Sequence, residues 1–371
     1  MDKVLQWGAD YGPLTFNGQY WRLITSMFLH FGIIHIAGNM WCLWSLGQLA
    51  EKLLDSSSVI GAYLLTGVGA SLLSLSWDPM RVSAGASGAI FGIAGVLITT
   101  LYYGKHNLPK ESVRRLLGYV VRFSFLNLLF GLRGHVDNMA HLGGLVSGLI
   151  IGLFLARSFT SPVEQRTHQR RTVLAIGVAV LLVFLVPIAR AKQYAAEFGK
   201  GQIAFDQKAY KAAIEHMQKY VAERPNDAYA HAILGTSLEN TGHLDNAVHE
   251  YELALAAAPN YDYVKENLVE LYVKQNKPEK AIPLFPGIQQ IKDAETLYFY
   301  GQALSQTGDL SQAENALRKS IRADGKLIES HQLLSQVLQK EGKTEEAKAE
   351  QDIADLLEPE SASPDSTKPA K

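Results

Sequence analysis

The sequence Gly85-Ala86-Ser87-Gly88-Ala89-Ile90-Phe91-Gly92 opens an apolar run that continues to about residue 103. Its glycines recur every three or four residues, which places them on one face of a helix. In lipid, such a face lets helix backbones approach closely, and a soluble core helix is a poor explanation for it. The stretch therefore predicts a membrane-embedded helix that has a serine at its N-terminus.

Five more apolar stretches flank this one, and each approaches the length that a bilayer requires. The six predicted spans lie at about 33–50, 57–76, 86–103, 116–132, 139–156 and 172–189. This half is dense in Leu, Ile, Val, Phe and Gly, whereas the second half is rich in Ala, Glu, Lys, Gln and Tyr. The contrast predicts an all-α chain, with a polytopic membrane helical bundle over residues 1–190 and a soluble domain after it.

The second half has an internal period. Its alanines at 213, 247, 281, 313 and 347 are spaced by 34, 34, 32 and 34 residues, and small or proline residues accompany them: Gly201, Gly235, Gly301, Pro225 and Pro259. Two small residues and a terminal proline in a 34-residue frame are the tetratricopeptide (TPR) signature. We expect a soluble TPR α-solenoid over 191–357, with about five repeats from residue 194, the third shortened and the last partly a cap. The tail, 358–371, is expected to be disordered.

Composition excludes some classes of function. A net charge of −1 gives no case for nucleic-acid binding, which favours a basic face. The only cysteine, Cys42, cannot form an internal disulfide. The N-terminus lacks the basic region and apolar core of a cleavable signal peptide.

Basic residues predict the orientation in the membrane. They cluster between the third and fourth spans and between the fifth and sixth, and Arg81 and Arg133 alone lie in the opposite loops. The clustered residues are Lys105, Lys110, Arg114 and Arg115, then Arg157, Arg166, Arg170 and Arg171. The positive-inside rule makes that side cytoplasmic, so the N-terminal segment and the TPR domain are expected to face outward.

Three polar features lie at the starts of spans, where burial in lipid demands a reason. Ser87 begins the third span, where unpaired backbone N–H groups and the helix dipole favour negative charge and could stabilise an oxyanion. The structural alternative is a glycine packing face formed by Gly85, Gly88 and Gly92, with Ser87 as an interhelical donor. The motif also differs from the nucleophile elbow of soluble hydrolases, because Ala89 stands where that elbow needs glycine.

His141 begins the fifth span and is suited to general-base catalysis near neutral pH. Gly144 and Gly148 share one face of that span, so a neighbouring helix can approach closely. The structural alternative is a histidine that makes a single interhelical hydrogen bond. In the first span, His35 and Asn39 share a face and could donate to an oxyanion, or could instead cap the helix or hold loop water.

The three features together favour catalysis, because the predicted orientation puts all of them at outward-facing helix ends. A metal site is the alternative for His30, His35, His135 and His141. However, no HExxH motif is present, and Asp137 is the only carboxylate in a plausible ligand spacing. We expect no metal and no cofactor.

With these residues in place, the sequence resembles the rhomboid family of intramembrane serine proteases. The resemblance covers about residues 1–190 and rests on Trp21-Arg22, His35-xxx-Asn39, Gly85-Ala86-Ser87-Gly88 and Ala140-His141-Leu142-Gly143-Gly144 with Gly148. It implies a Ser87–His141 dyad, with oxyanion contacts from Asn39, His35 and the Ser87 backbone N–H. It also implies that Phe91 packs against the histidine, and that Trp21-Arg22 is structural.

The resemblance implies an enzyme of the bacterial inner membrane that cleaves transmembrane protein substrates, while the TPR domain binds a peptide or protein. It also implies a transmembrane helix before Trp21, but only about 20 residues precede Trp21 and they are too polar to span a membrane. We therefore expect that the true start lies upstream or that the chain is a truncated form. The alternatives are a catalytically inactive membrane scaffold that presents TPR repeats, and a small transporter, against which the lack of charges along an ion path argues.

Overall fold

The computed structural model describes residues 2–105, 108–132, 136–288 and 293–358. Three short helices come first: α1 (Asp2–Trp7), α2 (Gly12–Thr15) and α3 (Arg22–Thr25). Seven longer ones follow: α4 (Ile33–Leu53), α5 (Ser56–Trp77), α6 (Ser87–Tyr103), α7 (Lys110–Gly131), α8 (Asn138–Arg157), α9 (Val163–Ala191) and α10 (Gln193–Asp206). Within the described residues of this half there is no β-strand, only an isolated bridge between Asp10 and Ser83.

The remaining helices are short and regular. They are α11 (Tyr210–Glu223), α12 (Ala228–Asn240), α13 (Leu244–Ala257), α14 (Asp262–Lys274), α15 (Pro278–Ala281), α16 (Ala294–Thr307), α17 (Leu310–Ala323), α18 (Ile328–Lys340) and α19 (Thr344–Leu357). The all-α prediction is confirmed. The chain divides into two compact units, Met1–Ile203 and Ala204–Lys371. The sequence predicts the boundary near residue 190. Of the tail predicted to be disordered, 359–371 lies outside the described residues.

Three described helices are long and apolar enough to cross a membrane: α5, α8 and α9. A fourth candidate is the bent pair Arg22–Phe28 and Ile33–Leu53, whose two parts meet at 95°. Helix α6 is apolar but has only 17 residues. Helix α7 is outside this set and carries Arg122 within its predicted span.

The basic residues assigned to loops need one correction. Lys110, Arg114 and Arg115 lie within α7, and Arg166, Arg170 and Arg171 lie within α9. Both helices begin before their apolar stretches, because a helix that leaves the bilayer keeps its own backbone hydrogen bonds in water. Hydropathy therefore located the apolar part of each helix and missed its polar first turns.

Helix α6 lies at the centre of the membrane unit. Its Ile90, Ile93, Val96 and Leu97 are almost fully buried and join the main apolar cluster. Glycines bring α6 and α8 into backbone contact: a Cβ atom added at Gly144 or Gly148 would overlap the carbonyl oxygen of Gly88 or Gly92. Close approach of glycine faces is how helices pack in lipid, where apolar burial between helices gains little.

An ion pair between Asp55 and Arg170 joins the start of α5 to α9. Asp55 caps α5 by accepting from the Ser58 N–H at 3.0 Å, and its second oxygen pairs with Arg170 Nη1 at 3.0 Å. The Nε of Arg170 also donates to Ser158 Oγ at 3.0 Å. These contacts tie α5, α9 and the turn after α8 together.

The second unit consists of antiparallel helix pairs, as the TPR period predicts. The five periodic alanines are all buried. A Cβ atom at Gly235 would lie 2.7 Å from the Tyr251 ring, which explains why this position is small. The same polar contact occurs within each of two repeats. His231 Nδ1 lies 2.6 Å from Glu250 in one, and His331 Nδ1 lies 2.6 Å from Glu350 in the other. In the third repeat, the second helix is reduced to α15 and a 3-10 turn, Ile282–Ile288.

Candidate active site

Ser87 is the first residue of α6, and two residues earlier the backbone has a positive φ angle at Gly85. Gly85 has φ +144°, a conformation that favours glycine, and its N–H donates to the Ser26 carbonyl at 2.9 Å. A side chain at residue 85 would also meet the His35 ring, because a Cβ atom there would lie 2.9 Å from Cε1. Gly85 thus lets the loop run directly beside α4 before it delivers Ser87.

His141 is the fourth residue of α8 and its side chain points at Ser87. The Nε2 atom lies 2.8 Å from Ser87 Oγ, within hydrogen-bonding distance. The imidazole is 6% exposed and stacks on Phe91, with ring centroids 4.3 Å apart and an angle of 16° between the planes. Within the described structure, its Nδ1 atom has no hydrogen-bond partner. The ring is therefore oriented by packing and by Ser87.

Glycine also explains how the two side chains meet. At Gly88 a Cβ atom would lie 2.6 Å from the Ala70 Cβ and 3.4 Å from the Ala140 carbonyl oxygen. Together with Gly144 and Gly148, this residue lets α6 approach α8 beside the Ser87–His141 pair. Any larger residue at these positions would separate the two helices and lengthen the contact.

His35 and Asn39 lie on the neighbouring helix α4 and face the same loop. A Cβ atom at Gly85 would be 2.9 Å from the His35 ring and 3.7 Å from Asn39 Nδ2. The His35 ring stacks on Phe31 and meets the His30 ring edge-on. Asn39 is buried, and in the described protein its Nδ2 atom has no partner. The amide therefore retains an unused N–H donor, from which an incoming oxygen atom could accept a hydrogen bond.

A cavity of about 580 Å³ opens beside Ser87 and His35. Ser87, His35 and Gly85 line it, together with Phe31, Val136 and Asp137. A mostly apolar cleft with a few convergent polar groups is the usual form of a ligand site.

Trp21 and Arg22 hold the N-terminal segment. Buried Arg22 donates from Nη1 to the carbonyl oxygens of Leu5 at 2.7 Å and Ala9 at 2.8 Å, and its guanidinium lies over the Trp21 ring. No hydrogen bond joins Arg22 to Ser87 or His141 in the described structure.

The sequence analysis did not predict the structural role of Asp137, which links the start of α8 to α5 and to the loop before α6. Asp137 caps α8, and its carboxylate also accepts hydrogen bonds from Ser74 and Ser83. A useful signal existed, because an aspartate just before an apolar run is an N-cap signature. No sequence pattern indicates that Ser74 and Ser83 share this carboxylate.

Among the described residues, no group of three or more His, Cys, Asp or Glu side chains is arranged to hold a metal ion. His135, which the sequence raised as a possible ligand, lies outside them.

Comparison with known proteins bears on both halves of the chain. Residues 17–158 match the family described as Rhomboid domain. The chain carries a Rhomboid domain. Residues 188–228, 228–261 and 294–327 match tetratricopeptide repeat families, so TPR repeats follow the Rhomboid domain. The four residues Ser87, His141, His35 and Asn39 all lie inside the Rhomboid domain.

Relatives include two bacterial rhomboid proteases. The chain is 30% identical over 276 residues to Rhomboid protease GluP of Bacillus subtilis (strain 168). The matched region covers 74% of this chain and 53% of GluP. It is 30% identical over 172 residues to Rhomboid protease AarA of Providencia stuartii, covering 41% of this chain and 61% of AarA. The chain thus spans less than two thirds of either relative.

Among solved structures, MamA 41-end from Desulfovibrio magneticus RS-1 is similar at 19% identity and a TM-score of 0.41. The similarity covers 44% of this chain and 94% of that one.

Proposed function

We propose that this chain is an intramembrane serine endopeptidase that cleaves peptide bonds in or near the transmembrane segments of other membrane proteins. The observation that supports this most directly is the 2.8 Å separation of His141 Nε2 and Ser87 Oγ, at two helix ends that meet beside one cavity. A serine within reach of a histidine base is the arrangement that activates a hydroxyl nucleophile.

In the proposed reaction, Ser87 Oγ attacks the scissile carbonyl while His141 Nε2 accepts the hydroxyl proton. The developing oxyanion accepts hydrogen bonds from the Asn39 amide, the His35 ring and the Ser87 backbone N–H. His141 then protonates the leaving amine, and a water molecule hydrolyses the acyl-enzyme with His141 again acting as base. The stacked ring of Phe91 keeps the imidazole in place through these transfers.

The proposed substrate is an extended segment. A helix hides its carbonyl groups in its own hydrogen bonds, so a transmembrane helix must unwind before Ser87 can attack it. We therefore expect helix-breaking residues near the cleaved bond and a small residue just before it. The apolar walls of the 580 Å³ cavity suit a segment that has just left lipid.

The first experiment is active-site labelling with a fluorophosphonate probe in native membranes. We expect the chain to label, and we expect Ser87→Ala and His141→Ala to remain unlabelled. The matched control is Ser76→Ala, which removes a hydroxyl that donates to the Leu73 carbonyl on α5. This variant should label like the parent. If the folded parent protein is not labelled, the alternative function, an inactive membrane scaffold that presents TPR repeats, becomes the better explanation.

We propose that the TPR unit binds a peptide or a partner protein and brings it to the membrane unit. The TPR repeats form stacked helix pairs, whose open faces are commonly used for binding. Tyr229 and Tyr263 are exposed near the starts of α12 and α14 and could form part of such a face. Deleting 204–371 should slow cleavage of recruited native substrates and leave fluorophosphonate labelling unchanged. Equal cleavage of all native substrates would contradict recruitment.

A further inference from the structure

We propose that Asp137 is the residue that positions Ser87 against His141, and that it does so through three hydrogen bonds. This inference deepens the proposed function and rests on it. The two side chains belong to helices that begin at separate loops, so some contact must set one helix start relative to the other. Asp137 lies between those starts and lines the same cavity as Ser87.

One carboxylate oxygen acts on the histidine side. Asp137 Oδ1 accepts from the Ala140 N–H at 2.9 Å, which caps the first turn of α8. The next residue is His141, whose own N–H donates to the Asp137 carbonyl at 3.1 Å. These two bonds fix the backbone from which the imidazole extends.

The other oxygen acts on the serine side. Asp137 Oδ2 accepts from Ser83 Oγ at 2.7 Å and from Ser74 Oγ at 2.5 Å. Ser83 lies four residues before Ser87, in the loop that delivers it. Its backbone is held by two hydrogen bonds with Asp10, both 2.9 Å, and Ser74 is buried on α5. A single carboxylate therefore joins the start of α8, the loop before α6 and the end of α5.

Asp137 acts on His141 through the backbone of α8 and not through the imidazole ring. His141 Nδ1 has no hydrogen-bond partner in the described structure, so Asp137 is not the third member of a catalytic triad. Proton transfer is nevertheless sensitive to small displacements, and a shift of about 1 Å can cost roughly 100-fold in rate. A clamp on both helix starts can control the 2.8 Å contact without touching it.

The test compares Asp137→Ala and Asp137→Asn with a matched control, Asp55→Ala. Asp55 is also an N-cap aspartate that accepts from serines, but it caps the start of α5, whereas Asp137 accepts from Ser74 near the end of that helix. Asn at 137 can keep the geometry, because its oxygen can cap α8 while its NH₂ donates to the two serine hydroxyls. We expect Asp137→Ala to lower kcat about 100-fold with KM changed less than about twofold. Asp137→Asn should recover to within about tenfold of the parent.

Asp55→Ala should lower the thermal unfolding midpoint in detergent as much as Asp137→Ala does, while kcat remains at the parent value. Two results overturn the proposal: an unchanged kcat in Asp137→Ala, or an Asn variant as slow as the Ala variant, since the latter would assign the effect to charge. Should Asp137→Ala fail to fold, Ser83→Ala removes one bond only. It should slow turnover and be rescued by Ser83→Thr, and normal turnover in Ser83→Ala would equally reject the clamp.

A second readout does not depend on activity. In the full-length chain labelled with ¹⁵N-histidine, the His141 Nε2 resonance can be assigned by its loss in His141→Asn. Ser87→Ala should shift it by removing the hydroxyl, and Asp137→Ala should shift it in the same direction. Asp55→Ala should leave it unchanged, and a parental resonance in Asp137→Ala would overturn the inference. If the parent cleaves and labels no better than Ser87→Ala, the proposed function fails, while this resonance still decides the role of Asp137.

Discussion

Asn39 is the single side chain whose removal best separates catalysis from stability. Its Nδ2 atom makes no hydrogen bond in the described protein, so Asn39→Ala removes no internal bond from this donor. We expect kcat to fall about 100- to 1,000-fold, the usual cost of losing one oxyanion donor. The unfolding midpoint should change little. Kinetics with a transmembrane peptide substrate and thermal unfolding in detergent measure the two effects.

The control for Asn39 is Asn127→Ala on α7, where the amide donates to the Phe123 carbonyl on its own helix. That variant should cleave at the parental rate. An Asn39→Ala enzyme with normal kcat would remove this residue from the oxyanion contacts, even if Ser87 proved to be the nucleophile.

Asp10 is a buried acid whose charge should make stability depend on pH. It is fully buried, and Thr15 Oγ1 donates to one of its oxygens at 2.6 Å. Burial raises the pKa of Asp10 to about 7 from its ordinary value of 3.8, and nearby Asp137 raises it further. The unfolded chain therefore loses this proton at lower pH than the folded one. Consequently, the free energy of unfolding should fall as pH rises from about 4 to 7 and then level off.

Asp10→Asn keeps the shape of the protonated acid and should remove this penalty. The variant should gain stability relative to the parent as pH rises from 5 to 8, by roughly 3 kcal/mol, because about two pH units lie between 5 and the folded pKa of about 7. Thermal unfolding at both pH values measures the difference, with Asp78→Asn on the exposed end of α5 as control. A constant difference between variant and parent at pH 5 and 8 would refute a raised pKa at this residue.

The sequence could single out Ser87, His141, His35 and Asn39 because each interrupts an apolar run near its start. Their proximity is a feature of the three-dimensional structure. The roles assigned to the four residues remain predictions. The Asp137 cluster could not be predicted, because Ser74 and Ser83 are ordinary in sequence and lie 63 and 54 residues from Asp137.

Among the helices, the contact of α6 with α8 is the one on which the site depends. Gly144→Ala would place a Cβ atom against the Gly88 carbonyl oxygen, so the helices would have to separate. Overpacking of this kind costs about 1–3 kcal/mol. We expect a lower unfolding midpoint together with a loss of fluorophosphonate labelling, because the Ser87–His141 contact would lengthen.

Gly47→Ala on α4 provides the comparison, because a Cβ atom there meets nothing within 4 Å. It should label normally and keep its unfolding midpoint. Equal behaviour of Gly144→Ala and Gly47→Ala would mean that α6 and α8 tolerate separation, and that the glycine face is not needed for the site.

Helix positions were predictable where apolar residues define them. The predicted span at 86–103 corresponds to α6, Ser87–Tyr103, because both of its ends coincide with changes in polarity. The predicted span at 172–189 is only the apolar part of α9, Val163–Ala191. Charged residues continue a helix readily once it reaches water, so periodicity in hydropathy carries no information on that boundary. The bend before α4 also depends on packing that the sequence does not show.

For the chain as a whole, two different sequence patterns predicted the two structural units. Apolar runs of about 20 residues predicted the membrane unit, and the 34-residue spacing of alanines predicted the TPR unit. Spacing could not reveal that the third repeat ends in the turn Ile282–Ile288, although its 32-residue interval indicated a shortened repeat.

The side of the membrane on which the TPR unit lies is the remaining prediction. Basic residues concentrate at the ends where α6 and α8 finish and α7 and α9 begin, which the positive-inside rule makes cytoplasmic. If α4 to α9 each cross the bilayer, then α9 ends on the opposite side. The TPR unit would then lie on the outward side, where α4, α6 and α8 begin and carry His35, Ser87 and His141.

Single cysteines test this orientation in a Cys42→Ala background, with Asn226→Cys before α12 and Gln165→Cys on the first turn of α9. Both positions are exposed, so access should depend on the membrane alone. In spheroplasts, a membrane-impermeant maleimide should label residue 226 and spare residue 165, and permeabilised cells should label both. Labelling of residue 165 alone would place the TPR unit in the cytoplasm. The starts of α6 and α8 would then face the cytoplasm as well, because α9 ends on their side of the bilayer. Labelling of both residues in spheroplasts would instead mean that α9 does not cross, so a partner recruited by the repeats would have to reach the site across the bilayer. The measurement therefore also limits the recruitment proposal.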